Sequence, residues 1–448
     1  MKVQVFKIWD CVRSSFWFLP AVMVSGAMLL AFGTVALDEP LTNWLKFHWD
    51  WTFTGGAEGA SSLLGAIAGS MITIAGVVFS MTLVALSLAS SQLGPRLLRN
   101  FMRDTTTQIV LGTFVATFLY CLLVLRTIRR AEEIIFVPHL SVSLGMLLAV
   151  VSVGLLIYFI HHVSVSIQAN EIVARVGTEL IEGVEHLFPE NTGHGSARIS
   201  TVPPEADFLD MFDREARPIV SAGDGYLQFI DHDDLMALAM QEDVVIRLVR
   251  RQGNYVIASR PLALVWPGNR VTDHLMERAC SAFALGKQRT FGQDIEFAVN
   301  QLVEIAIRAL SPGVNDPFTA MTCVDHLGSA LCRLAQRDMP SPYRHDEKAQ
   351  LRVIIPVVTF SDVTDVAFNQ IRQYGHSCTA VTIRLLETIA EVAEFAHRPE
   401  DRVALLRHAN MIVRGARDGL LEEEDRQEVE KRFQFANQLL NESPDSNL

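Results

Sequence analysis

Residues 72–101 read "ITIAGVVFSMTLVALSLASSQLGPRLLRNF", a stretch that begins as a helix suited to lipid and ends as one suited to water. Traced back to Ser62 in alternating steps of four and three, it gives Ser62, Ala66, Gly69, Thr73, Gly76, Ser80, Leu83, Ser87 and Ser90. Only Leu83 in that series is large. A repeat near 3.5 residues marks a helix packed among left-handed neighbours. In hydrocarbon, small residues let backbones approach, and hydroxyls hydrogen-bond across helices for roughly 0.6 to 2 kcal/mol each. Ordinary packing inside one four-helix subunit is the plainer account of the stripe. The sharper one is that Thr73, Ser80 and Ser87 face water.

Half of the 448 residues are hydrophobic, and the mean hydropathy is +0.25. The excess lies before residue 165, in four charge-free runs at about 17–37, 61–91, 108–125 and 134–160. Each is long enough to cross a bilayer, for which a helix needs ~20 apolar residues. The first is too long and too uniformly apolar for a cleaved signal peptide. Lys2, Lys7 and Arg13 precede the first run, and Arg96, Arg99 and Arg103 follow the second, whereas the first loop has Lys46 against Asp38, Glu39, Asp50 and Glu58. Arg126, Arg129 and Arg130 in the third loop dissent. On balance the positive-inside rule places both termini in the cytoplasm, and the expected location is the cell membrane.

Residues 1–165 carry 10 Lys plus Arg against 8 Asp plus Glu, and the remaining 28 and 42 leave the rest of the chain at −14. So acidic a part would repel phosphate backbones, which argues against nucleic acid as a partner. The six cysteines are scattered without a CxxC pair, so no metal site is expected. No cofactor is expected either. There is no GxSxG, HExxH or GxxxxGK[ST] motif, and no Asp, Glu, Lys or Arg inside the four runs, which weakens enzyme and proton-coupled carrier readings.

The expected organisation is a transmembrane domain over 1–165, a helical stalk and linker over 166–217, a small β module over 218–270 and a helical cytoplasmic domain over 271–448. The stalk follows from helical spacing at Ile167, Ile172, Val176, Leu180 and Val184, as if the fourth span ran on. In the β module, "DVVIRLVRRQGNYVIASRPLALVW" alternates like short strands and resembles half of a barrel-sandwich hybrid. A group carrier would need a lysine on its hairpin, and none lies between Lys46 and Lys287. The fold class is therefore mainly α: a four-helix transmembrane domain plus an α+β cytoplasmic domain with a small barrel-sandwich-like β module.

"FSMTLVALSLASSQLGPRLLRNFMRDTTTQ" and "QLVEIAIRALSPGVNDPFTA" together resemble a family of bacterial predicted integral membrane proteins described only as a domain of unknown function. The resemblance covers nearly the whole chain. It implies the membrane topology and no chemistry.

Several groups are candidates for function, each beside a structural account. A ring of hydroxyls round a symmetry axis suits an ion path, with Leu83 as its constriction. Arg96, Arg99 and Arg103 share a helix face and could form a cationic inner mouth, although basic residues at span ends ordinarily snorkel to headgroups. His161 and His162 stand at the expected membrane boundary, where imidazole could sense pH. In "RALSPGVNDPFTA", Gly313 is expected to take a positive φ and close one helix, with Asp316 capping the next and Pro317 in its first turn. Asn315 has no role in that scheme. Arg289 and Asp294, with Glu304, lie on the stretch leading to the same turn, where a helix N-terminus could receive a small anion or nucleotide phosphate. "DHDDLMALAMQED" is read as an acid-rich helix start.

The function that follows is an oligomeric ion-conducting channel or pore in membrane lipid, a homo-oligomer with a cytoplasmic regulatory domain. The alternative is a membrane-anchored sensor or scaffold that recruits partners through its acidic part.

Overall fold

The computed structural model describes residues 15–48, 53, 55–93, 104–131, 134–166, 168–188 and 204–442. They form two compact units, divided between Gln168 and Ala169.

The first unit has four helices: α1 (Phe18–His48), α2 (Ala57–Leu93), α3 (Thr105–Thr127) and α4 (His139–Ser166). All four are long and apolar enough to cross a bilayer. Helix α3 is central, packing against α1, α2 and α4. It buries Val110, Phe114, Thr117, Cys121 and Val124 at steps of four and three, the spacing that keeps one face on a neighbour. Opposite them α2 buries Leu64, Ala68, Met71, Ala75, Val78 and Ala85.

Two features depart from the sequence reading. The run expected to span 134–160 opens as a strand: β2 (Ile134–Phe136) pairs antiparallel with β1 (Arg129–Ala131). Ile134 and Ile135 favour extended backbone, and α4 starts only after Pro138, which has no N–H to give a helix interior. Asp38, one residue past the first expected span, belongs to α1 and is buried, so the bundle does enclose a carboxylate. Its oxygens accept from the N–H of Leu140 at 2.7 Å, the N–H of Ser141 at 3.0 Å and the Ser141 hydroxyl at 2.5 Å. One helix thus satisfies the orphan donors that begin another. Beside it, the Tyr120 hydroxyl donates to Ser141 O at 3.0 Å.

The second unit begins with α5 (Ala169–Leu187), the segment read as a stalk. It buries Ile172, Val176, Leu180 and Val184 and packs on α9 (Ile295–Ala309) and α10 (Pro317–Ala335). Gly177 makes that approach possible, because a Cβ there would fall within the His326 ring. Further on come α6 (Ala206–Glu215), α7 (His232–Gln241) and α8 (Asp273–Ser281). The unit closes with α11 (Phe360–Gly375), α12 (Thr379–Phe395), α13 (Pro399–Gly419) and α14 (Glu423–Asn441).

The β module has two small sheets. In the larger, β3 (Arg217–Val220), β7 (Pro261–Trp266) and β5 (Val245–Leu248) are antiparallel neighbours, β10 (Leu351–Ile354) runs parallel to β5, and β9 (Tyr343–His345) closes the edge. In the smaller, β4 (Gly225–Ile230) pairs antiparallel with β6 (Tyr255–Val256) and β8 (Phe283–Gly286). Ile219, Leu227, Ile246, Val265, Leu275 and Val353 meet in the core beneath them. The module thus draws β9 and β10 from about eighty residues beyond its expected bounds of 218–270, the second of them in "LRVIIPVVTF", which reads as a strand in sequence.

Candidate functional site

On α2 the alanine-rich stripe faces the bundle, while Gly69, Thr73, Gly76, Ser80, Leu83 and Ser87 are all exposed on its surface. For a 3.5-residue repeat the two stripes lie about 150° apart round the helix. A Cβ built on Gly69 or Gly76 meets nothing within 4 Å. The Thr73 hydroxyl donates to Gly69 O of its own helix at 2.8 Å, which satisfies it without a neighbour. Among the described residues the stripe therefore finds no partner helix in its own bundle. Ala68, Ala75 and Ala85 are the small residues that admit α3.

Arg96, Arg99 and Arg103 lie outside the described residues, as does the side chain of Ser90. His161 is exposed. His162 stacks on Tyr158 with ring centroids 6.0 Å apart, and its Nε2 is 3.0 Å from Asp104 Oδ2. Asp104 is the N-cap of α3, accepting from Thr106 N and Thr107 N. His162 therefore ties the end of α4 to the start of α3.

In the second unit a cavity of about 450 Å³ opens beside the start of α9, within the ~300–1,000 Å³ usual for small-molecule pockets. One wall is apolar: Leu187 and Phe188 from the end of α5, and Ile355, Val357 and Val358 after β10. The other carries His232, Arg251, Gln252, Gln293, Glu296 and Arg344. The turn Arg251–Asn254 meets the N-terminus of α9 there. Gly253 has φ +85°, and a Cβ on it would overlap the Asp294 carboxylate.

Asp294 does two things. Its Oδ1 caps α9 by accepting from Phe297 N at 3.2 Å, and both its oxygens accept from Arg289, at 2.7 and 2.8 Å. Burial opposes the charge on Arg289, but Asp294 outweighs it and holds the guanidinium above the ordinary arginine range. Glu296 accepts from Arg251 and stands 3.9 Å from Arg289. Burial pushes its carboxyl above the usual range, against the pull of Arg251.

Gln252 Nε2 donates to Gln293 Oε1 at 2.9 Å and stands 3.2 Å from His232 Nε2. An amide N–H can only donate, so His232 Nε2 accepts and the ring is neutral. Burial and the nearby Arg344 both hold His232 below the ordinary histidine range. Burial likewise depresses the half-buried Arg344. Among the described residues no carboxylate lies within ion-pair distance of Arg344.

The structure brings Arg289 and Asp294 together but not with Asn315 and Asp316. The latter pair lies beyond the opposite end of α9, whose 15 residues span about 22 Å. Gly313 does not take the positive φ expected of it; Asn315 does, at +50°. Asn315 N donates to Ser311 O at 2.9 Å and Asp316 N to Ala309 O at 2.8 Å, which closes α9. Asp316 caps α10 through Thr319 N at 3.1 Å. A side chain that tolerates left-handed backbone is the role left open for Asn315. Sequence reasoning missed His232, Gln252 and Arg344. Asp231 does cap α7, as the acid-rich start suggested, but nothing in "DHDD" tells that His232 lines a cavity. Arg344 sits on an edge strand whose partner is chosen by the tertiary fold.

Four membrane-length helices and, in a second unit, an α/β fold with a ligand-sized cavity define a multi-span membrane protein with a second folded unit. The chain belongs to the family described as Predicted membrane protein (DUF2254), which matches residues 13–391. It is 35% identical over 426 residues to the uncharacterized protein Mb1321c of Mycobacterium bovis, covering 94% of this chain and 79% of that one. The uncharacterized proteins Rv1290c and MT1328 of two Mycobacterium tuberculosis strains are 35% and 34% identical over the same shares. No solved structure matches the chain.

Proposed function

We propose that the protein is a homo-oligomeric ion channel or pore of the bacterial inner membrane, with both termini cytoplasmic and its second unit regulating conduction. The observation that carries this reading is the burial pattern of α2. A stripe of glycines and hydroxyls is left exposed by its own bundle, opposite the face that packs. Lipid offers such a stripe nothing that Leu or Val would not take better, whereas a second copy gains close backbone approach and an ion gains oxygen ligands. The loop charges support the orientation, and the mycobacterial relatives support a bacterial membrane.

Reconstitution into liposomes loaded with an ion-sensitive dye tests the proposal. The parent protein passes ions, Gly76→Trp blocks the flux and Leu83→Ala raises it. If neither the parent nor Leu83→Ala conducts, the pore reading is lost.

The cavity of the second unit favours a second reading, a membrane-anchored sensor or scaffold. That reading gains if Gly76→Trp leaves ligand binding and assembly intact while no variant conducts.

A further inference from the structure

We propose that the cavity between α5, α7, the 251–254 turn and the strand-end segment 355–358 is a binding site for a small organic monocarboxylate with an apolar body, held by Arg344. Charge bookkeeping leads to it. Arg251 is matched by Glu296 and Arg289 by Asp294. His232 is neutral, because Gln252 donates to its Nε2. The remaining acid of the lining, Asp233, is exposed on the first turn of α7. That leaves Arg344, half-buried and, among the described residues, without a carboxylate or other side-chain acceptor to meet its guanidinium.

A half-buried cation without a counter-ion has given up part of its hydration for nothing in return, and an anion entering from the cavity relieves it. The planar fork of a guanidinium matches a carboxylate through two parallel hydrogen bonds. One guanidinium without a carboxylate in reach takes one carboxylate. A polyphosphate would bring its extra charges against Asp294 and Glu296, so nucleotides fit poorly. Phe188, Ile355, Val357 and Val358 of the same lining have apolar side chains and take hydrocarbon. Gln252 and Gln293 are already committed to each other, to His232 and to the backbone of Ile230, so they hold the polar wall rigid.

The site does not depend on conduction, and its test reads binding alone. Ligand-observed fluorine NMR on the full chain in detergent micelles uses 4-fluorophenylacetate as probe, with 4-fluorophenylacetamide as the neutral twin and empty micelles as background. The acid binds the parent protein. The amide binds about tenfold more weakly or less, the loss expected for a charge-assisted contact. Arg344→Gln weakens the acid by a similar factor and the amide hardly at all. Val358→Trp, which fills the cavity, removes binding of both and keeps the test open if Arg344→Gln fails to fold. Inorganic pyrophosphate does not compete with the acid. Equal binding of acid and amide, unchanged binding in Arg344→Gln, displacement by pyrophosphate, or no binding by the parent at millimolar probe overturns the proposal.

Discussion

Gly253 stands directly against Asp294, so close that any β-carbon on the glycine would occupy the space of the carboxylate. The contact matters because Asp294 holds α9 by its N–H groups and Arg289 by its guanidinium at once. A turn between two strands is thereby docked on the start of a helix some forty residues later, and the polar wall of the cavity is built at that junction.

Gly253→Ala meets two obstacles, a φ of +85° and the overlap with Asp294. The first alone costs about 1 kcal/mol for a residue with a side chain, and the displaced carboxylate adds to it. The expected loss is about 2–3 kcal/mol, read as a fall in melting temperature of the second unit. Asn254→Ala loses only the acceptor for Arg251 N and falls less. Equal melting of Gly253→Ala and parent would show that the turn does not sit on Asp294.

Asp38→Ala leaves the N–H groups of Leu140 and Ser141 without acceptors at the start of α4. Loss of an N-cap carries about 0.5–2 kcal/mol, and buried donors in an apolar bundle belong at the upper end. Asp38→Asn retains one acceptor oxygen and falls between. Retention of monodisperse protein in detergent against temperature measures the order: parent, then Asn, then Ala. A parent-like Ala variant would mean that water or headgroups reach those N–H groups.

Spans, class and the helix caps were legible because each depends on local signals. Apolar length marks α1 to α4, and Asp316 or Asp231 followed by a helical pattern marks a cap. Which face of α2 meets its own bundle was not legible. Ala68, Ala75 and Ala85 form a small-residue stripe as regular as that of Gly69, Gly76 and Ser80, and only the position of α3 decides between them. The cavity was half legible. Arg289 and Asp294 are near in sequence, whereas Arg344 reaches it from an edge strand and His232 from another helix, through pairing across more than a hundred residues. Asn315 was visible but unexplained until its φ was known.

Acidification destabilises the second unit. His408 is fully buried, with Nε2 2.7 Å from Asp365 Oδ1. Burial, helped by Arg407 and Arg372, outweighs Asp365 and holds the ring below the ordinary histidine range. His232 is depressed in the same direction. The unfolded chain therefore takes up protons near pH 6.5 that the folded chain refuses, so stability is full above that pH and falls below it. Each such group contributes a slope of up to about 1.4 kcal/mol per pH unit. Burial raises the Asp365 carboxyl, but Arg407 and His408 outweigh it and hold it low. Its own contribution is lost only below the usual aspartate range. Chemical denaturation at pH 7.5, 6.0 and 5.0 shows the slope, and His408→Gln reduces it between the first two. An unchanged slope in that variant would mean that its imidazole is protonated as readily folded as unfolded.

Disulfide trapping distinguishes the two faces of α2. In a background with native cysteines replaced by alanine, Ser80→Cys carries its thiol on the exposed stripe and Ala75→Cys carries it on the stripe that packs against α3. Around a shared axis, two copies of residue 80 approach within the ~4.4–6.8 Å between α-carbons that a disulfide bridges, whereas residue 75 stays shielded inside each subunit. Mild oxidation in native membranes should therefore give a covalent dimer for Ser80→Cys and little for Ala75→Cys. Thr73→Cys, two turns away on the same stripe, should behave as Ser80→Cys does, because a contact that follows the helix repeats every seven residues. Crosslinking at 80 without 73 would indicate chance collision. Crosslinking at neither, in membranes where the protein is intact, would mean that the stripe meets lipid and would remove the ground on which a central path stands.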